Sequence, residues 1–182
     1  MKLFVASDIH GSYYYCKKLF TFFNEMHGDK MLLLGDLLYH GPRNDLPREY
    51  NPKQCIELYN SYQEKIIAVR GNCDSEVDQM VLNFPIMADS VTLDIDNLKV
   101  IASHGHIYNK EHMPMDEDNY VFFYGHTHIP EFETLNGNLV INPGSISIPK
   151  MNSKHSFGIL EDRIFTMYSL DGEQLAKYPI DL

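Results

Sequence analysis

The sequence predicts an α/β fold of two packed, mixed β-sheets flanked by helices. Apolar runs alternate with helical periodicity in the first part of the chain, the second part passes from strand to strand through hairpin turns, and most strand ends carry polar clusters. At 182 residues the length is near that of one domain, so residues 1–182 read as a single domain with chain enough to bury a core.

Leu3-Phe4-Val5-Ala6 is a short apolar run that halts at polar residues, as a buried strand does. Cys16, Leu19, Phe20, Phe23 and Met26 then recur at helical spacing and define one apolar face. Met31-Leu32-Leu33-Leu34 is a second strand. Asn51 before Pro52 predicts a helix start: a capping acceptor, then a residue whose missing N–H costs nothing at the first helical position. Cys55, Leu58, Tyr59 and Tyr62 continue that helix on one face, and Ile66-Ile67-Ala68-Val69 is a third strand. This β-α-β-α-β order implies a parallel sheet with right-handed crossovers. Further on, Val91-Thr92-Leu93-Asp94-Ile95, Val100-Ile101-Ala102 and Tyr120-Val121-Phe122-Phe123-Tyr124 read as strands with little helix between them. Asn136-Gly137 and Asp171-Gly172 read as hairpin turns that take positive φ at low cost. The helices therefore belong on the first sheet. Two polar stretches, 35–51 and 104–119, are long enough to be loops that carry function.

Lys and Arg number 15 against 25 Asp and Glu, a net charge of −10. That balance argues against long nucleic acid or an anionic membrane as partner, and leaves room for a small anionic substrate held by a local positive charge. Cys16, Cys55 and Cys73 form no CxxC pair and are odd in number, as expected of reduced thiols in a cytoplasmic protein. The apolar run before Asp8 is too short for a signal peptide, and no stretch approaches the roughly 18 apolar residues of a membrane helix. The exposed tyrosines and phenylalanines leave homo-oligomerisation open.

The main functional signal is positional. Asp8-Ile9-His10, Gly35-Asp36, Gly71-Asn72-Cys73-Asp74, His104-Gly105-His106 and Gly125-His126-Thr127-His128 all fall at the ends of expected strands. In α/β sheets ligands bind beyond the carboxyl ends of the strands, so these clusters should converge on one crevice. Asp8 and His10, His104 and His106, and His126 and His128 are spaced i, i+2, which puts each pair on one face of an extended segment. Taken singly, each cluster reads equally as a cap, a turn or a solvated loop. Together they hold five of the nine histidines.

Asp8, His10, Asp36, Asn72, His104, His126 and His128 offer imidazole and oxygen donors and no thiolate. That set is too large for one tetrahedral zinc and suits two first-row divalent ions sharing a carboxylate. Two such ions with two aspartates and one hydroxide keep one net positive charge, since Asn72 adds none. Cations about 4 Å apart hold a hydroxide at neutral pH and clamp phosphoryl oxygens during in-line displacement.

The ordered set D-x-H, G-D, G-N-x-D, H-x-H and G-H-x-H resembles the calcineurin-like metallophosphoesterases, binuclear enzymes with an α/β/β/α sandwich. Gly41-Pro42-Arg43-Asn44, Val69-Arg70-Gly71-Asn72-Cys73-Asp74-Ser75-Glu76 and Asn142-Pro143-Gly144-Ser145 are similar to the YfcE-type bacterial phosphodiesterases, and the likeness spans nearly the whole chain. The resemblance implies a metal-dependent phosphodiesterase acting on small phosphodiesters. It implies one metal on Asp8, His10, Asp36 and His128 and a second on Asp36, Asn72, His104 and His126, with Asp36 bridging. Manganese is the family's frequent choice, with zinc or iron as alternatives. Many family members carry histidine where this chain has Cys73, and a thiol is a poor imidazole substitute. Leaving-group protonation should then be weaker and good leaving groups favoured.

Among the neighbouring positions, Asn72, Cys73, Asp74 and His106 are the candidates for catalytic work. Asp74 would orient a ligand or the adjacent backbone. His106 can contact the hydroxide or phosphate, or make a structural hydrogen bond. His40 and Arg43 can reach the pocket, although a surface arginine is the plainer reading of Arg43; Arg70 is a salt-bridge partner or a phosphate contact. Alternatives are a phosphomonoesterase or nuclease on the same core, a non-catalytic scaffold like the retromer subunit of similar fold, or metal storage.

Overall fold

The computed structural model describes residues 1–115 and 117–182; Asp116, within the second long polar stretch, lies outside the described residues. Strands β1 (Leu3–Ala6), β2 (Lys30–Leu33) and β3 (Ile66–Ala68) run parallel, joined through helices α1 (Tyr13–Glu25) and α2 (Pro52–Ser61). Ser12 caps α1, its side chain accepting from Tyr15 N–H, and Asn51 caps α2 by accepting from Gln54 N–H, with Pro52 in the first turn as expected. A third helix, α3 (Glu76–Val81), spans only six residues, and its apolar positions Val77, Met80 and Val81 are exposed, so it offered too short a pattern to be read; the Asp78 carboxylate accepts from Ser75 N–H at its start.

The second sheet is built from β4 (Ser90–Ile95), β5 (Leu98–Ser103), β6 (Tyr120–Phe123), β7 (Glu131–Leu135) and β8 (Asn138–Asn142), in the order β4-β5-β6-β8-β7. β5, β6 and β8 are mutually parallel and β4 and β7 pair antiparallel at the edges. The chain then returns to the first sheet. β9 (Ser156–Glu161), β10 (Ile164–Ser169) and β11 (Gln174–Pro179) complete a six-stranded order β11-β10-β9-β1-β2-β3, with β9 antiparallel to β1.

The expected turn at 136–137 has both residues left-handed, Asn136 at φ 49° and Gly137 at 75°, whereas at 171–172 only Gly172 is, at 86°. Two further hairpins turn on pairs with no glycine, Asp96-Asn97 and Asp162-Arg163, all four residues at φ between 50° and 60°. Asp and Asn tolerate that region better than most residues, which is why a glycine-led reading passes over these turns.

Strand parity sorts the core into three layers. Phe4, Ala6, Met31, Leu33, Ile66 and Ala68 face α1 through Leu19, Phe20 and Phe23 and α2 through Cys55 and Tyr59. The alternate residues Leu3, Val5 and Leu32 face the second sheet and meet Val100, Val121, Phe123 and Ile141. On the outer side of the second sheet, Tyr120, Phe122 and Tyr124 are covered by Tyr108, Met113 and Met115, with no helix over them among the described residues. No helix among the described residues is long and apolar enough to cross a membrane.

Between the sheets the fit is tight at Gly158, where a Cβ would lie 2.1 Å from Phe165 Cζ, so the Phe165 ring occupies the space a side chain would take. Gly158→Ala forces that fully buried ring to move, and a loss of about 1–3 kcal/mol is expected. Urea denaturation measures it; a midpoint equal to the parent's contradicts the packing.

Candidate metal centre

The five polar clusters do converge, but on two sheets. Asp8 and His10 follow β1, Asp36 follows β2 and Asn72 follows β3, while His104 follows β5 and His126 and His128 follow β6. The crevice lies where the carboxyl ends of parallel strands from both sheets meet, the two-sheet form of the rule for open α/β sheets.

Five of the seven donor residues stand in left-handed backbone: Asp8 at φ 56°, His10 at 50°, Asp36 at 56°, His126 at 67° and His128 at 61°. Each costs roughly 1–2 kcal/mol relative to ordinary conformations. Such strain persists only where surrounding bonds over-determine it. Here His10 N–H donates to Asp36 O at 2.8 Å and Gly11 N–H to Leu37 O at 3.0 Å. The hydroxyls of Ser145 and Ser147 both donate to Asp8 O at 2.8 Å. Asn142 Nδ2 donates to Gly125 O at 2.8 Å, steadying the turn that carries His126. The late Asn142-Pro143-Gly144-Ser145 stretch thus braces the ligand loops from outside the cluster.

Two glycines permit the close approach. A Cβ on Gly71 would lie 2.1 Å from Asp36 Oδ1, and one on Gly125 would lie 1.9 Å from Ser7 Oγ. Asp74, buried beneath the crevice, ties the same loops together. Its carboxylate accepts from Asp36 N–H at 2.8 Å, Leu37 N–H at 2.9 Å and Gly71 N–H at 2.7 Å. Burial, partly offset by these bonds, raises its pKa to about 6. Asp74 therefore does not face the crevice; it positions Asp36 through the backbone.

The imidazoles are oriented by their outer nitrogens. Nδ1 of His10 meets Tyr39 O at 2.8 Å, Nδ1 of His104 meets Leu34 O at 2.7 Å and Nδ1 of His128 meets Ile148 O at 2.8 Å. A carbonyl only accepts, so each Nδ1 carries a proton and each Nε2 turns inward. Inside, His10 Nε2 lies 3.4 Å from His128 Nε2, and His126 Nδ1 lies 3.3 Å from His104 Nε2. Asp36 Oδ2 stands between the groups, 3.6 Å from His10 Nε2 and 3.4 Å from His104 Nε2. Asp8 Oδ1 is 3.2 Å from His128 Nε2, buried, and accepts no hydrogen bond among the described residues. Asn72 Oδ1 is 3.0 Å from His104 Nε2. Lone pairs aimed at one another at these distances repel unless a cation or protons lie among them.

Without metal, protons meet that demand. Burial opposes charge on His104, but the Asp36 and Asp8 carboxylates outweigh it and hold its pKa at about 9. His10 is raised in the same way against its burial, chiefly by Asp8 and Asp36. Asp8, although burial pushes it up, is held well below the usual carboxylate range by His10 and His128. His126 is lowered by burial and by its neighbour His104.

Three triads bring their donor atoms within 4.8 Å of one another: Asp8, His10 and His128; Asp8, Asp36 and His104; His10, Asp36 and Cys73. Cys73 is thus brought to the edge of the cluster, its Sγ accepting from Asn72 Nδ2 at 3.4 Å and its N–H donating to Asp36 Oδ1 at 2.8 Å. Burial and the Asp36 carboxylate push the thiol up to about 12. The His106 ring lies 5.3 Å from that of His104, with a buried Nδ1 that makes no hydrogen bond among the described residues. Arg70 pairs with Asp89 at 2.8 Å, the salt-bridge reading of that residue, and Arg43 lines the cleft beside the donors. His40 packs its ring between Tyr39 and Tyr50.

Residues 1–163 match the family model of the calcineurin-like phosphoesterase superfamily domain, and the chain belongs to that family. It is 41% identical over 175 residues to the phosphodiesterase YfcE of Escherichia coli K12, across 96% of this chain and 95% of the relative. The solved structure of the E. coli phosphoesterase YfcE superposes with a TM-score of 0.96 over the full length of both chains. The phosphodiesterase MJ0936 of Methanocaldococcus jannaschii is 28% identical over 151 residues, 79% of this chain and 83% of that one. A mutant Vps29 from Entamoeba histolytica shares the fold alone, with a TM-score of 0.59 at 20% identity over 92% of this chain and 91% of that one.

Metal binding must displace the protons that the cluster otherwise holds. Titration with Mn²⁺ near pH 8, in buffers of different ionisation enthalpy, should show release of about one proton or more per chain. Binding with no proton release contradicts a protonated His104 in the metal-free protein.

Proposed function

We propose that the cluster binds two divalent cations and hydrolyses small phosphodiesters, so that the protein acts as a phosphoric diester hydrolase. One cation is held by Asp8, His10, Asp36 and His128, the other by Asp36, Asn72, His104 and His126. The observation that carries this reading is the Asp36 carboxylate standing between His10 Nε2 and His104 Nε2 at 3.6 and 3.4 Å. The inward-facing lone pairs and the hydrogen-bond-free Asp8 Oδ1 fit such ions. So does the donor set, imidazole and oxygen throughout, which suits manganese; zinc and iron bind the same donors, and supply decides between them.

When bound, the cations supply Lewis acidity toward phosphoryl oxygens and lower the pKa of water at the site. The chain's residues fix the rest. Asp36 holds both positions at a set distance, and Asp74 holds Asp36. Asn72 fills a coordination place without adding negative charge, so the crevice stays attractive to an anion. Cys73 lines the cleft where an imidazole would be the better proton donor, so esters whose leaving group needs no proton should react best. His106, beside His104 with its Nδ1 unsatisfied, is the remaining candidate to contact the phosphoryl group.

A cleft of about 470 Å³ lined by His10, Asp36, Asn72 and His128 suits a small substrate better than a polymer. The three free cysteines agree with a cytoplasmic setting, and residues 1–182 act as one domain. A scaffold role, as for a non-catalytic protein of this fold, would not need seven competent donors, five of them held in strained backbone.

Hydrolysis of bis(p-nitrophenyl) phosphate with Mn²⁺, Zn²⁺ or Mg²⁺, beside p-nitrophenyl phosphate, tests the reaction class; a preference for the monoester overturns it. Asp36→Ala should lower turnover by at least about a thousandfold and the metal content below two per chain. Cys73→Ala should slow turnover yet keep both ions; a Cys73→Ala protein that loses metal makes Cys73 a ligand.

A further inference from the structure

The cleft holds more than a diester group needs. Besides the donor cluster it is lined by Arg43 and Lys150, and among the described residues Asp36 is the only carboxylate on its wall. In a chain with ten more acids than bases, cations readily find carboxylates. The other three arginines are engaged: Arg48 lies 3.6 Å from the Tyr14 ring, Arg70 pairs with Asp89, and Arg163 donates to Leu182 O. Arg43 and Lys150 have no ion-pair partner among the described residues, and both line the same cleft.

Their backbones are anchored to it. Arg43 stands in the turn 41–44, closed by Asn44 N–H to Gly41 O at 3.4 Å and by Asn44 Nδ2 to His40 O at 2.8 Å. Gly41, at φ 81°, packs close to Cys73: a Cβ there would lie 3.1 Å from Cys73 Sγ and 3.3 Å from Asn44 Nδ2. Lys150 is tied to a donor residue, its N–H reaching His128 O at 3.2 Å. One cation is thus referenced to the Asp36–Cys73 side of the cluster and the other to the His128 side.

We propose that Arg43 and Lys150 are specificity determinants that hold a second anionic group of the substrate, a terminal phosphate beyond the diester that is cleaved. The proposal rests on the diesterase reading for its substrate but not for its binding site. Arginine forks two phosphate oxygens while lysine supplies a point charge, so the pair reads a dianionic end more strongly than a neutral one.

Binding to the Mn²⁺-loaded full chain is measured by calorimetry for thymidine 3′,5′-bisphosphate and thymidine 5′-phosphate. Kinetics are compared for the p-nitrophenyl ester of thymidine 5′-phosphate with and without a 3′-phosphate. The 3′-phosphate should improve Kd, and kcat/KM for the ester, by about tenfold or more. In Arg43→Gln and Lys150→Gln that ratio should fall toward one, with Arg43→Lys keeping part of it. A parent with no preference for the 3′-phosphate overturns the proposal, as does a ratio that the variants leave intact, the result expected if Arg43 serves only the reacting phosphoryl. If neither ester is hydrolysed by the parent, the diesterase reading fails while the binding ratio still decides the anion site.

Discussion

At the crevice, His10, His104 and His128 each have one ring nitrogen fixed to a main-chain carbonyl, and everything there follows from that. With Nδ1 of His10, His104 and His128 each 2.7–2.8 Å from a carbonyl oxygen, Nε2 has nowhere to point but inward. The inward atoms meet each other and two buried aspartates, and positive charge must settle among them. Asp36 lies between the two histidine groups, 3.6 Å from His10 Nε2 and 3.4 Å from His104 Nε2, within reach of both.

The fold explains how such a crowd is tolerated. Two sheets pack face to face through strand parity, and the carboxyl ends of parallel strands in each open onto the same edge. Loops that leave those ends must turn at once, which places Asp8, His10, Asp36, His126 and His128 in left-handed backbone. Glycine would relieve that strain and supply no donor; the sequence keeps Asp and His there instead. The cost is spread over braces remote from the chemistry, the Asp74 carboxylate beneath Asp36 and the Ser145 and Ser147 hydroxyls on Asp8 O.

Most of this was legible in the residues. Apolar runs and the Asn51-Pro52 cap located the first three strands and α2, and the recurrence of donors at strand ends pointed to the crevice where the clusters converge, because both signals are local. The distribution of the clusters over two sheets was not readable, since a parallel pairing such as β5 with β6 joins segments whose partners no local pattern names. Nor was the return of β9, β10 and β11 to the first sheet. The hairpins at Asp96-Asn97 and Asp162-Arg163 escaped notice because they lack glycine. Asp74 was read as orienting a ligand or the adjacent backbone; its three backbone donors show that it holds the backbone of residues 36, 37 and 71. The 35–51 stretch read as a loop long enough to carry function, but a surface position remained the plainer reading of Arg43 until its turn was seen to line the cleft beside Cys73.

The shared carboxylate is the centre of the account, and electron paramagnetic resonance of the protein loaded with Mn²⁺ tests it most directly. Two ions joined through Asp36 should be exchange-coupled, giving a multiline spectrum with little of the sextet of isolated Mn²⁺. A fully loaded protein that shows only the uncoupled sextet contradicts it.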